Sequence, residues 1–136
     1  MVEITARYEG NLRCSLTHGP SGATLRTDAP KDNQGEGAAF SPTDLVAAAL
    51  PACMMTIMGI VAKRHALDLT GMTAVATKEM VTTPTRRIGR VVTRIRVPLA
   101  ATHPQRASLE NAAHTCPVHR SLLAEIDAPI EFEWMG

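Results

Sequence analysis

Two cysteines in contrasting surroundings are the residues of this sequence best suited to chemistry. Cys53 lies in an uncharged segment, ALPACMMTIM, whereas Cys116 lies in the more polar segment HTCPVHR. A cysteine directly before Pro117 is typical of a helix N-cap, where backbone N–H groups and the helix dipole favour a thiolate. His119 follows three residues later, near enough on the helix surface to interact with the Cys116 side chain. The pattern predicts thiol chemistry, with a thiolate at Cys116.

Each of these residues also has a purely structural interpretation. Cys53 can be a small core residue in an apolar helix that tolerates Pro51 as a kink. Pro51 can instead bend the helix and turn the Cys53 thiol toward a cleft at a subunit boundary. His119 taken alone is typical of a solvated or capping group. The spacing of His114, Cys116 and His119 matches no familiar structural zinc pattern, so the sequence predicts no metal site.

The elements that must position the two cysteines predict an α+β fold. Strand-like runs within residues 4–28 predict a three-stranded meander, and the alternating segments MTAVATKEMV and RVVTRIRVPL predict a hairpin. A long helix is predicted from residue 42 to about residue 65. A helix over about 104–113 and a short helix starting near residue 117 follow, and alternating apolar residues at 130–134 predict a final strand.

The long helix has a clear start signal and is apolar on every side. Ser41 is placed as the N-cap, Pro42 at the first helical position and Asp44 three residues after the cap. About 24 residues span roughly 36 Å, and one curved sheet does not cover all sides of such a helix. We therefore expect a homodimer in which two long helices pack together between two sheets. Small residues that allow close approach are Ala47, Ala48, Ala49 and Gly59.

Length and charge limit the function classes. The chain has 136 residues, predicted to form one domain over 1–136, and its net charge of +1 gives no global attraction to nucleic acid or anionic membranes. Arg90, Arg94 and Arg96 share a strand face without interleaved aromatic residues, which predicts a solvated face. The apolar segment 45–62 is interpreted as a core helix rather than a membrane span. Three cysteines, an odd count without closely spaced pairs, and the lack of a signal-peptide pattern predict a cytoplasmic protein.

Taken together, the two cysteine segments resemble the OsmC/Ohr family of thiol-dependent hydroperoxide reductases, over essentially the whole chain. The corresponding segments are EGNLR in the first turn, SPTDLVAAALPACMM around Cys53, and CPVHR at Cys116. The predicted order of elements matches as well. The resemblance implies antiparallel sheets wrapped around long central helices in an intertwined homodimer, with an active site at each end of the subunit interface.

The resemblance also implies a role for each thiol. Cys53 matches the peroxidatic cysteine, whose thiolate attacks organic hydroperoxides and, as a second class, inorganic ones. Cys116 matches the resolving cysteine, which captures the sulfenic acid as a disulfide. Arg13 in EGNLR corresponds to the active-site arginine and is placed ahead of Arg26. An external dithiol of the dihydrolipoyl type restores the enzyme, without a bound cofactor or metal. The expected partners are a second copy of the chain, the hydroperoxide and this reductant, but neither nucleic acid nor membrane.

One position departs from the family pattern. The hydroperoxide reductases have a glutamate directly after the proline of this motif, where it holds the active-site arginine, whereas this chain has Thr43. Asp44 is the nearest carboxylate, but it is shorter, one position later and accounted for by the helix cap. The departure leaves two functions open: a stress-defence peroxidase of altered activity, or a non-enzymatic small-molecule-binding dimer. The third cysteine, Cys14, is interpreted as structural.

Overall fold

The computed structural model describes all residues of the chain, 1–136, and contains two three-stranded sheets. The elements are β1 (Ile4–Gly10), β2 (Arg13–His18), β3 (Thr24–Asp28), α1 (Pro42–Arg64), β4 (Thr73–Val81), β5 (Arg87–Ala100), α2 (Arg106–His114), α3 (Pro117–Ser121) and β6 (Ile130–Met135). This order confirms the predicted α+β class. The chain forms two compact units, Met1–Val46 and Ala47–Gly136. The prediction of one domain over 1–136 stays a prediction.

The first unit contains the predicted meander. β1 pairs with β2, and β2 with β3, both antiparallel. The β1–β2 turn is tight because Asn11 and Leu12 both take the left-handed conformation, with φ of 54° and 63°. In the register of β2 and β3, Arg13 lies opposite Asp28. Directly opposed residues point to the same face of a sheet, so these two side chains are neighbours.

The start of α1 is a reciprocal capping box. The Asp44 N–H donates to Ser41 Oγ at 3.1 Å, and the Ser41 N–H donates to Asp44 Oδ2 at 2.9 Å. The two bonds satisfy donors that an uncapped helix start leaves unpaired. The structure therefore confirms Ser41 as the N-cap, Pro42 as the first helical residue and Asp44 as a capping carboxylate.

The second sheet is mixed rather than antiparallel. Its order is β4-β5-β6, and β4 pairs with β5 as the predicted antiparallel hairpin. β6 runs parallel to β5, which corrects the expectation of antiparallel sheets throughout. The physical reason is the connection: α2 and α3 lie between the two strands in sequence, and a helical crossover returns the chain to the end of the sheet where β5 began.

The core of the second unit lies between one stripe of α1 and the inner face of β5. The buried residues of the stripe recur every three or four positions, as one face of a helix requires: Ala47, Leu50, Met54, Met58 and Ala62. Val91, Ile95 and Val97 are buried on β5 and belong to the same cluster. By length and composition α1 would suffice to cross a membrane. One stripe of the helix is buried in the core. The interpretation of segment 45–62 as a core helix rather than a membrane span stays a prediction.

The outer face of this sheet is charged and solvated, as predicted. Parallel pairing of β5 and β6 places Arg94 and Arg96 beside carboxylates, and an isolated parallel bridge before β6 does the same for Arg90. The ion pairs are Arg90–Asp127 at 2.9 Å, Arg94–Glu131 at 2.6 Å and Arg96–Glu133 at 3.1 Å. Because each arginine is neutralised by a neighbouring carboxylate, the face offers no basic stripe for nucleic acid.

Candidate active site

Cys53 lies on α1 directly before Met54, which is fully buried in the core stripe. The helix continues through Pro51, two residues earlier, although that residue has no N–H to donate. The Cys53 side chain is half-buried and packs at the edge of the core cluster to which Cys116 also belongs. Cys53 is therefore in contact with the core without being fully buried in it.

Cys116 is the N-cap of α3 and is fully buried. Its Sγ accepts a hydrogen bond from the His119 N–H at 3.4 Å, and Pro117 occupies the start of the helix, where no N–H is needed. The predicted cap is confirmed. α2 ends at His114, two residues earlier, so the cysteine lies at the junction of two short helices.

The structure brings the two cysteines together. The Cys116 side chain is hydrogen-bonded to the Cys53 side chain, and both thiols are free. The contact joins the middle of α1 to the start of α3, elements that are far apart in sequence. A disulfide requires the sulfurs to approach to about 2 Å, a small movement from hydrogen-bonding contact. The arrangement is therefore that of a dithiol able to close.

The expected thiolate at Cys116 is wrong. Burial raises the pKa of the Cys116 thiol above its ordinary value of 9.0, and the neighbouring Cys53 raises it further. Hydrogen bonds from the N–H groups of His119 and Val118 lower this pKa, as expected at a helix start, but by less. Desolvation thus outweighs the helix start. Cys116 keeps its proton at neutral pH and donates it toward Cys53.

The His119 ring is hydrogen-bonded to the backbone. Its Nε2 lies 3.3 Å from the Ala128 carbonyl oxygen, which links α3 to the segment before β6. The His114 ring packs edge-on against Phe132, with ring centroids 6.1 Å apart. Nowhere in the chain are three His, Cys, Asp or Glu side chains grouped so that they could hold a metal ion. The His119 side chain therefore bridges α3 to the segment before β6, and only its backbone N–H takes part in the helix cap.

Arg13 belongs to the first unit, where two carboxylates hold it. Its Nη2 donates to Glu36 Oε2 at 2.8 Å, and its Nε lies 3.6 Å from Asp28 Oδ1. Asp28 is 2% exposed and Glu36 80% exposed, so one partner is buried and the other is in solvent. A hydrogen bond from the Ala38 N–H, followed by the Arg13 charge, lowers the pKa of Asp28 below its usual range.

Asp28 and Glu36 were missed by reasoning from the sequence. The only signal for Asp28 is the register of β2 and β3, which places it opposite Arg13. Glu36 lies in the polar loop after β3 and carried no signal. The runner-up, Arg26, is mostly exposed and pairs with Glu9 at 3.5 Å.

Thr43 and Cys14 lie in the elements predicted for them, the start of the long helix and a strand of the meander. Thr43 Oγ1 lies 3.2 Å from Ser41 Oγ, within the first turn of α1. Cys14 is a half-buried free thiol on β2. At the position where the family pattern has a carboxylate, this chain thus has a hydroxyl in contact with the N-cap side chain.

Two sheets, a long helix and a pair of facing thiols define an α+β protein with a dithiol site. The family model described as OsmC-like protein matches residues 35–131. The chain belongs to the OsmC-like family. No curated protein sequence matches the chain significantly.

Solved structures agree with this family. A protein from Psychrobacter arcticus 273-4, proposed to act in the osmotic-stress-induced and detoxification response, is 40% identical, with a TM-score of 0.91 over 98% of this chain and 96% of its own. The organic hydroperoxide resistance protein OsmC from Legionella pneumophila is 18% identical, with a TM-score of 0.79 over 98% and 96%. The organic hydroperoxide resistance protein OhrB of Bacillus subtilis is 20% identical, with a TM-score of 0.70 over 98% of both chains. At these identities the last two show the shared fold alone.

Proposed function

We propose that this protein is a cysteine-based peroxidase that reduces hydroperoxides in stress defence. The observation that carries the proposal is the contact between a half-buried thiol, Cys53, and a fully buried one, Cys116. Membership of the OsmC-like family supports it, and two solved structures of the same fold are organic hydroperoxide resistance proteins. Organic hydroperoxides are the proposed main substrates, with inorganic peroxide as a second class.

The different burial of the two thiols supports a different role for each. Cys53 is accessible and attacks the peroxide, while the buried and protonated Cys116 resolves the product. Burial and the neighbouring Cys53 raise the pKa of the Cys116 thiol, so Cys116 is the thiol that stays protonated beside Cys53. A thiolate is the nucleophile in this chemistry, so the raised pKa of Cys116 supports attack by Cys53 rather than by Cys116.

The proposed cycle has three steps. The Cys53 thiolate attacks one peroxide oxygen, the O–O bond breaks, and the leaving alkoxide takes a proton to become an alcohol. Cys53 is then a sulfenic acid. The Cys116 thiol attacks its sulfur, water leaves, and the Cys53–Cys116 disulfide forms. An external dithiol of the dihydrolipoyl type reduces this disulfide and is itself oxidised, so no bound cofactor is needed.

Arg13 is proposed as the cation that offsets the charge on the thiolate and on the leaving oxygen. This assignment rests on the match of EGNLR to the family motif. A guanidinium suits the role because it stays charged and presents several donors. We place the reaction in the cytoplasm of the cell, where a free dithiol pool keeps thiols reduced.

Thiol titration and peroxide consumption test the proposal. Wild-type protein with tert-butyl hydroperoxide and a dihydrolipoyl reductant consumes peroxide, and without reductant it forms the Cys53–Cys116 disulfide. Cys53→Ser abolishes both, because no nucleophile remains. Cys116→Ser consumes peroxide once but forms no disulfide with Cys53. Cys14→Ser is the matched control and keeps full activity, since Cys14 takes no part in the cycle.

The rival function is a non-enzymatic small-molecule-binding dimer. Thr43, which stands where the family has a glutamate, is the observation that favours it. A wild-type protein that neither consumes tert-butyl hydroperoxide nor forms the disulfide would establish the rival and refute the peroxidase. Disulfide formation in wild type, and its loss in Cys53→Ser, would exclude the rival.

A further inference from the structure

The chain lacks the family glutamate that holds the active-site arginine, yet Arg13 is not without carboxylate partners. Thr43 occupies the glutamate position, and its hydroxyl lies in the first turn of α1. We propose that Asp28 is the positioning residue for Arg13 and holds the arginine in place of the missing glutamate. The inference rests on the proposed peroxidase function, in which Arg13 is the cation beside the reacting sulfur.

Asp28 is fixed in place by its own strand end. Its backbone N–H donates to the Phe40 carbonyl at 3.1 Å, and its Oδ2 accepts from the Ala38 N–H at 2.9 Å. The second oxygen, Oδ1, points at Arg13 Nε across the β2–β3 pairing, at 3.6 Å. A carboxylate that is held at one oxygen and aimed with the other directs the guanidinium along a defined line.

Arg13 Nε and Asp28 Oδ1 face each other. Both atoms are buried, and neither has a hydrogen-bond partner. A buried charge is costly unless it is paired, so Asp28 requires the guanidinium beside it. The separation of 3.6 Å is just longer than a hydrogen bond, and a small movement of the arginine closes it.

Glu36 supplies a second, weaker hold from the loop after β3. The loop is folded back on the strand end: the Gly35 N–H donates to the Pro30 carbonyl at 2.9 Å, and the Gly37 N–H donates to the Ala29 carbonyl at 3.2 Å. Gly35 lies so close to the Ala29 carbonyl that any added Cβ would collide with it. Because Glu36 is exposed, solvent and salt screen its ion pair. We therefore assign positioning to the buried Asp28.

The test is Asp28→Asn, which keeps size and polarity but removes the charge. The rate constant for oxidation of Cys53 by tert-butyl hydroperoxide is expected to fall by roughly 10- to 100-fold, because a misplaced catalytic group costs rate on this scale. Glu9→Gln is the matched control, since Glu9 also pairs with an arginine, Arg26, in the same sheet. It leaves the rate constant unchanged. Thermal melting of each variant verifies that it is folded.

A double-mutant cycle separates positioning from a merely structural role. In an Arg13→Ala background, Asp28→Asn should have no further effect on the rate, because the group that it positions is gone. An unchanged rate in Asp28→Asn alone, or an equal loss in both backgrounds, overturns the inference. A wild-type protein that does not react with peroxide refutes the proposed function instead. The NMR signal of Arg13 Nε–H then still decides the pairing: a signal unchanged by Asp28→Asn overturns it, and a shifted one supports it.

Discussion

At the residue scale, Cys116 shows two opposing effects on one sulfur atom. Its position before Pro117 supplies N–H donors that favour a thiolate, and the local sequence is sufficient to predict that. Its complete burial favours the thiol, and burial depends on residues far away in sequence, so the sequence does not reveal it. Burial dominates, and the result fits the resolving role that we propose for Cys116, because a protonated thiol would not compete with Cys53 for peroxide in the proposed cycle.

Asp28 predicts how stability responds to acid. The folded-state pKa of Asp28 lies below its ordinary value of 3.8, chiefly because Ala38 donates a hydrogen bond to it. Its contribution to the free energy of unfolding is therefore complete above pH 3.8 and is lost as pH falls through the lower folded-state pKa. Urea titrations of wild type and Asp28→Asn between neutral pH and pH 3 measure this difference.

The expected outcome is a loss of stability on acidification that is smaller in Asp28→Asn than in wild type. Asp68, whose pKa is lowered by hydrogen bonds from Thr70, keeps part of the dependence in the variant. Identical acid dependence in the two proteins would show that Asp28 does not titrate with folding.

At the scale of elements, local signals succeeded where neighbours in sequence decide the structure. The start of α1 followed from Ser41, Pro42 and Asp44, because a helix cap involves only adjacent residues. The inward and outward faces of β5 followed from alternation. The direction of β6 did not, because it depends on where the crossover through α2 and α3 returns the chain. The Arg13–Asp28 pair was missed for a similar reason, since it depends on strand register.

The capping box of α1 gives the prediction at this scale. Ser41→Ala removes the acceptor of the Asp44 N–H and should lower the free energy of unfolding by about 1 kcal/mol. This loss of stability should be specific to the cap and should not follow from removing a serine hydroxyl elsewhere. Ser108→Ala, on the exposed side of α2, is the control and should be neutral or slightly stabilising, because alanine has the higher helix propensity. Equal denaturation midpoints for Ser41→Ala and wild type would contradict the assignment of the cap.

At the scale of the whole molecule, each unit presents apolar side chains to solvent. On α1, Val46 is 39% and Ile60 46% exposed, on sides of the helix away from the buried stripe. Ile4, Tyr8 and Leu25 are exposed on the first sheet. Uncovered apolar surface of this extent is typical of an interaction site. The sequence argument for a homodimer began from the same property of α1, and we propose a second copy of the chain as the cover.

Sedimentation of a charged α1 variant tests the dimer. Wild type should sediment with twice the chain mass of 14.6 kDa, whereas Ile60→Glu should shift toward the single-chain mass, because a carboxylate buried at an apolar interface is costly. Val75→Glu is the matched control: Val75 is at least as exposed, but it lies opposite Arg94 on the charged face of the second sheet. It should leave the mass doubled. A wild type that sediments with the single-chain mass at micromolar concentration would refute the dimer. An unchanged dimer in Ile60→Glu would place the interface away from this side of α1.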